Sequence, residues 1–134
     1  MVFAPYFGEY KSYAANFDAK IVEVMPDEAD FMPDLADFER KITKDTRAVI
    51  INNPNNPTGV VYSDVTLKEI ARILTAKEEK FGTDIYLISD EPYRELVYDG
   101  VQENFLTKYY KDTLVGYSFS KSLSLPGERI GYVV

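Results

Sequence analysis

Three short stretches hold most of the residues able to do chemistry. The first, Asn52-Asn53-Pro54-Asn55-Asn56-Pro57-Thr58-Gly59, packs four Asn, two Pro and one Gly into eight residues. It offers amide donors on a rigid path, although these are also the residues of an ordinary turn. The second, Ser89-Asp90-Glu91-Pro92-Tyr93-Arg94, follows the apolar run 84–88. A carboxylate just past a buried strand is costly unless it is partnered. Asp90 is therefore a helix cap, half of a structural ion pair, or a functional acid. The third, Ser118-Phe119-Ser120-Lys121-Ser122-Leu123, sets one lysine among hydroxyls, and Arg129 follows that lysine by eight residues. Taken singly, such a lysine is a solvated side chain. Together the loops can bring an amine, a carboxylate, a phenol, an amide and a guanidinium to one crevice.

Composition removes most competing chemistries. The 134 residues include no Cys, no His and no Trp. Thiol catalysis, disulfides, thiolate or imidazole metal sites and Ser-His-Asp triads are all excluded. The remaining set lacks a conventional hydrolytic nucleophile–base pair but suits pyridoxal 5′-phosphate. That aldehyde needs a lysine for its imine, a carboxylate for its pyridine nitrogen, donors for its phenolate oxygen, and Arg with hydroxyls for its phosphate. With 15 Lys and Arg against 22 Asp and Glu, the net charge is −7. That balance argues against nucleic acid or an anionic membrane as partner. With neither a secretory signal nor a long apolar span in the sequence, a cytoplasmic location is expected.

The elements that must position these loops alternate. Strands are expected at 2–4, 20–25, 48–51, 84–88, 113–118 and 130–134. Helices are expected over 7–16, with Tyr10, Tyr13 and Ala14 on one face, and over 34–42, with Leu35, Phe38 and Ile42 at helical spacing. The longest helix carries Leu67, Ile70, Ala71 and Leu74 between an N-cap at Ser63 and a stop at Gly82. The acidic stretch 26–32 reads as a loop. Unbroken apolar strands between helices indicate an α/β fold with a largely parallel sheet, whose ligands bind beyond the carboxyl ends of the strands. The strand-like residues at both ends read as the edges of a piece of a longer protein.

Four motifs in register then make the chain recognisable: Asn53-Pro54-Asn55-Asn56-Pro57-Thr58-Gly59, Asp90-Glu91-Pro92-Tyr93, Ser118-Phe119-Ser120-Lys121-Ser122 and Pro126-Gly127-Glu128-Arg129-Ile130-Gly131-Tyr132. It resembles the large domain of fold-type I pyridoxal-phosphate-dependent aminotransferases of the aspartate aminotransferase-like class I/II group. The resemblance implies that residues 1–134 are the central part of that domain, without its N-terminal segment and the C-terminal small domain. It implies Lys121 as the Schiff-base lysine and proton shuttle, Asp90 as partner of the pyridinium nitrogen, and Tyr93 and Asn56 as donors to the phenolate oxygen. It further implies Arg129 and Ser118 as phosphate ligands, Ser120 as a third, and Phe7 as the ring stacked on the cofactor.

The same resemblance implies amino acid and 2-oxo acid substrates, with aspartate as a candidate donor, and a homodimer. A β-lyase or other carbanion chemistry, or a cofactor-sensing regulator, would use the same binding set. The isolated stretch is expected to be inactive. The fold expected is a three-layer α/β sandwich whose six-stranded sheet has the order 6-5-3-4-1-2, with strand six antiparallel. The Asn56–Pro57 and Ala4–Pro5 bonds are expected to be cis. Apolar surface is expected around Phe3, Tyr6 and Tyr132-Val133-Val134.

Overall fold

The computed structural model describes residues 1–27, 29–102 and 104–134. Six strands form one mixed sheet: β1 (Val2–Phe3), β2 (Glu23–Val24), β3 (Ala48–Asn52), β4 (Tyr86–Asp90), β5 (Thr113–Ser118) and β6 (Gly131–Val133). Four α-helical segments join them: α1 (Glu9–Ala15), α2 (Leu35–Lys41), α3 (Asp64–Phe81) and the single turn α4 (Phe119–Ser122). The strand order is β2-β1-β3-β4-β5-β6, with β5 and β6 antiparallel and every other pair parallel. The α/β class, the unbroken sheet and the antiparallel last strand are as expected. The order is not, because the expectation exchanged β3 and β4. β3 pairs with β1 through Val2 and Ile50, and β4 lies between β3 and β5. The crossover through α3 returns the chain to the adjacent position, the common outcome for consecutive parallel strands.

α3 shows why the elements form where they do. The Ser63 hydroxyl accepts the Thr66 N–H at its start, and Gly82 closes it in the left-handed conformation at φ 64°. Leu67, Ile70, Ala71, Ile73 and Leu74 recur at helical spacing and are all buried. At roughly 1.5–3 kcal/mol for each large apolar side chain, this stripe seats the helix on the sheet. It meets Val49, Ile51 and Leu87 from β3 and β4, together with Phe38 of α2 and Phe3 of β1. Phe3 is therefore core rather than uncovered surface; its ring packs 5.1 Å from Phe38 and 6.2 Å from Tyr62. Val133 and Val134 are exposed as expected, and Tyr6 is half-buried with its hydroxyl bonded to Glu23.

Several boundaries shift. β2 covers two residues of the expected six, and α1 keeps Tyr10 buried while Tyr13 points to solvent. β4 runs two residues further than expected, so Asp90 ends the strand instead of opening the loop. Lys121 lies on α4, not in a loop. The acidic excursion closes through a bridge between Pro26 and Pro33, and residue 28 of it lies outside the described residues. Ala4–Pro5 and Asn56–Pro57 are cis, as is Asn53–Pro54.

At the β5–β6 edge the backbones meet closely at Gly131, where an added Cβ would run into the Tyr117 carbonyl oxygen. Backbone cannot yield as a flexible side chain would. Gly131→Ala should therefore destabilise the protein by about 1–3 kcal/mol, read as a lower urea midpoint with an unchanged m-value.

Candidate active site

The register of the sheet builds the site. Pairing sets Asn52, Asp90 and Gly116 side by side across β3, β4 and β5, and Ser118 pairs with Gly131 one step further. Residues two apart share a face, so Asp90, Gly116 and Ser118 all look away from the α3 side into an open cleft. This is the carboxyl end of the parallel strands, where the loops after β3, β4 and β5 converge.

The loop after β3 is tied down by its own amides. Asn52 Nδ2 donates to the Asp90 carbonyl at 2.9 Å, and Asn52 Oδ1 accepts the Asn56 N–H at 2.7 Å. Asn53 Oδ1 accepts the Tyr62 N–H at 2.8 Å, and Asn55 Oδ1 holds both the N–H and the hydroxyl of Thr58. Asn56 alone among the four sends its side-chain amide outward, donating from Nδ2 to the Tyr93 hydroxyl at 3.0 Å. Lys121 Nζ stands over the Tyr93 ring, 5.7 Å from its centroid. An amide and a phenol from two loops and an amine from α4 are thus in one place.

Asp90 is the electrostatic anomaly. It is half-buried at the edge of the cleft, and no cation faces it among the described residues. Desolvation, opposed by one hydrogen bond from the Tyr10 hydroxyl and assisted by the nearby Glu91 charge, holds its carboxyl above the usual carboxylate range. Burial and the same bond push the Tyr10 phenol far up, so it stays protonated and donates. Sequence reasoning placed Tyr10 on one helix face with Tyr13 and Ala14 and missed this bond. The available signal was positional: α1 begins a few residues beyond the carboxyl end of β1, beside the crevice. Phe7 is 42% exposed and therefore not core; its ring meets Tyr10 edge-on at 5.8 Å.

The remaining expected residues are less concentrated. Ser118 accepts the Ser120 N–H at 3.1 Å as the cap of α4, and its hydroxyl donates to that of Ser120 at 2.8 Å. Arg129 is exposed, in the left-handed conformation at φ 52°, and its guanidinium donates to the Pro126 carbonyl at 2.8 Å within its own turn. A second groove, between α3 and Lys108-Tyr109, is a poor rival, because its Lys68 and Arg72 are already paired with Asp64 and Glu69.

Fold and cleft together define an α/β protein with a lysine-bearing crevice at the ends of its parallel strands. Residues 1–134 match the family model "Aminotransferase class I and II", and the chain belongs to that family. Relatives agree. The aspartate aminotransferase of Pyrococcus horikoshii is 36% identical over 132 residues, covering 93% of this chain and 32% of its own length. The crystal structure of an aminotransferase from Eubacterium rectale is 53% identical with a TM-score of 0.97, over 99% of this chain and 33% of that one. The Thermus thermophilus aspartate aminotransferase with maleate is 34% identical at a TM-score of 0.88, over 98% of this chain and 33% of that one. The chain thus spans about a third of the length of these relatives. The family's cofactor is pyridoxal 5′-phosphate.

The residues present fit that group. A desolvated carboxylate without a cation suits a protonated pyridine nitrogen, and the amide–phenol pair beside a free-standing amine suits a phenolate and an aldehyde.

The uncompensated carboxylate leads to a pH test. The raised Asp90 pKa means that its contribution favours the folded state below about pH 3.9 and is lost as pH rises through the folded value. Without cofactor, Asp90→Asn should therefore have the higher Tm at pH 7. The gap should close as the pH falls through the carboxylate range, as followed by circular dichroism.

Proposed function

We propose that the protein carrying this chain is a pyridoxal-phosphate-dependent aminotransferase, moving an amino group from an amino acid to a 2-oxo acid, and that residues 1–134 are its cofactor-binding part. The observation that carries this reading is Asp90: a half-buried strand-end carboxylate that no cation faces among the described residues, at the same sheet end as the Asn56–Tyr93–Lys121 group. When bound, the cofactor supplies an aldehyde and an electron-withdrawing ring. Lys121 would hold the aldehyde and would be the base that moves the proton at the substrate α-carbon. Asp90, steadied by Tyr10, keeps the ring nitrogen protonated. Asn56 and Tyr93 donate to the phenolate oxygen. Ser118, Ser120 and Arg129 hold the phosphate, and Phe7 packs on the ring. For Arg129 this requires its guanidinium to leave the Pro126 carbonyl, which an exposed side chain can do at little cost.

The aspartate aminotransferases among the relatives favour aspartate as donor, and maleate, seen with the Thermus enzyme, is a four-carbon dicarboxylate of that class. Exposed Val133 and Val134 on the sheet edge support burial against further chain in a homodimer, and the 134 residues alone are expected not to turn over substrate. The test uses the full-length protein: titration with pyridoxal 5′-phosphate should produce a visible absorbance band, and aspartate with 2-oxoglutarate should yield glutamate. Lys121→Ala should remove the band and lower turnover by at least about 10³-fold, as loss of the proton-transferring group requires. A wild-type protein that gives neither band nor glutamate would overturn the reading.

A further inference from the structure

Asp90 and Glu91 are consecutive, yet the strand pleat sends them to opposite faces of the sheet. Asp90 looks into the cleft. Glu91 continues the ladder, its N–H donating to the Gly116 carbonyl at 2.9 Å, and turns to the other face beside Ser89 and Tyr117. Its carboxylate is fully buried. Three donors meet it: the Ser89 hydroxyl at 2.5 Å, Arg94 Nε at 2.8 Å and Arg94 Nη2 at 2.5 Å. The guanidinium lies between two rings, 4.8 Å from the Phe105 centroid and 4.7 Å from that of Tyr117, and its Nη1 donates to the Tyr132 hydroxyl at 3.1 Å.

The assembly reaches both halves of the lysine–phenol group through their chain neighbours. Tyr93 lies within the segment that the Glu91–Arg94 pair closes. Tyr117, under the guanidinium, bonds through its hydroxyl to Ser122 at 2.7 Å, and Ser122 is the neighbour of Lys121 on α4. One planar cation thus connects the turn that carries the phenol to the turn that carries the amine. We propose that Arg94, held by Glu91, is a positioning residue that sets Tyr93 and Lys121 relative to each other from the far face of the sheet. The inference rests on the reading of Lys121 and Tyr93 as cofactor contacts. A lysine cannot take the part, because an ammonium has no plane to lie between rings and no fork to reach Glu91 and Tyr132 together.

The test compares Arg94→Lys, which keeps a charge for Glu91, with the double variant Glu91→Gln/Arg94→Gln, which leaves no buried charge unpaired. Both are made in the full-length protein and read in two ways. Without cofactor, nuclear Overhauser contacts between the Lys121 side chain and the Tyr93 ring should be present in the wild type and lost in both variants. With pyridoxal 5′-phosphate, followed by visible absorbance, Kd should rise about tenfold in both, the size of one lost charge-assisted contact. A purely structural ion pair predicts instead that the double variant regains wild-type contacts and affinity; that result overturns the proposal, as do unchanged contacts in Arg94→Lys. Should Arg94→Lys not fold, the double variant decides. Should the wild type take up no cofactor, the functional reading fails, and the Lys121–Tyr93 contacts alone decide whether Arg94 positions them.

Discussion

Two adjacent carboxylates stand at the end of one central strand, Glu91 wholly and Asp90 partly withdrawn from water, and much of the surrounding structure serves that constraint. Removing a carboxylate from water without compensation costs more than any single contact in a domain returns. The period-two pleat solves half of the problem by sending Asp90 and Glu91 to opposite faces. The rest is solved differently on each face. Glu91 receives a hydroxyl and a guanidinium, so its charge is met within the chain. Asp90 receives only the Tyr10 hydroxyl, a neutral donor, and its carboxyl remains under tension from desolvation.

That asymmetry separates a structural ion pair from the proposed cofactor contact. A carboxylate already facing an arginine has little left to offer a cationic ring. One partly withdrawn from water and answered by a phenol keeps unmet attraction for a cation, because part of the desolvation cost has been met in folding. The Asn-rich loop follows the same logic. Asn52, Asn53 and Asn55 bond backbone within the loop and at Asp90 and Tyr62 beyond it, and Asn56, whose N–H Asn52 holds, turns its own amide to Tyr93. Rigidity in the loop is what gives that one amide a direction.

What could be read from the sequence was what short-range chemistry decides. Ser63 and Gly82 bound α3 because a cap and a left-handed stop act within one turn, and the stripe Leu67–Leu74 seats it because helical spacing is local. The motifs around Asn56, Asp90 and Lys121 located the crevice. The order of β3 and β4 was not legible, since both are short apolar runs and nothing in either specifies its neighbour. β2 was overestimated because only Glu23 and Val24 find a partner in β1. Tyr10 and Arg94 escaped for a different reason. Their functions depend on which face a side chain takes and on partners elsewhere in the fold, and Arg94 beside Tyr93 reads as an ordinary charged residue until the turn fixes its direction.

The Tyr10–Asp90 bond joins residues 80 apart in the chain. Closing a loop of that length costs about 4 kcal/mol of chain entropy before the contact returns anything. The two ends of the bond meet only after β1, β3 and β4 have aligned, because Tyr10 is delivered by the element after β1 and Asp90 by the end of β4. A chain caught halfway through folding therefore possesses the amine but not the steadied carboxylate. On the proposed reading, capture of a charged aromatic ligand is a property of the finished molecule, and such a ligand would draw the folding equilibrium toward completion.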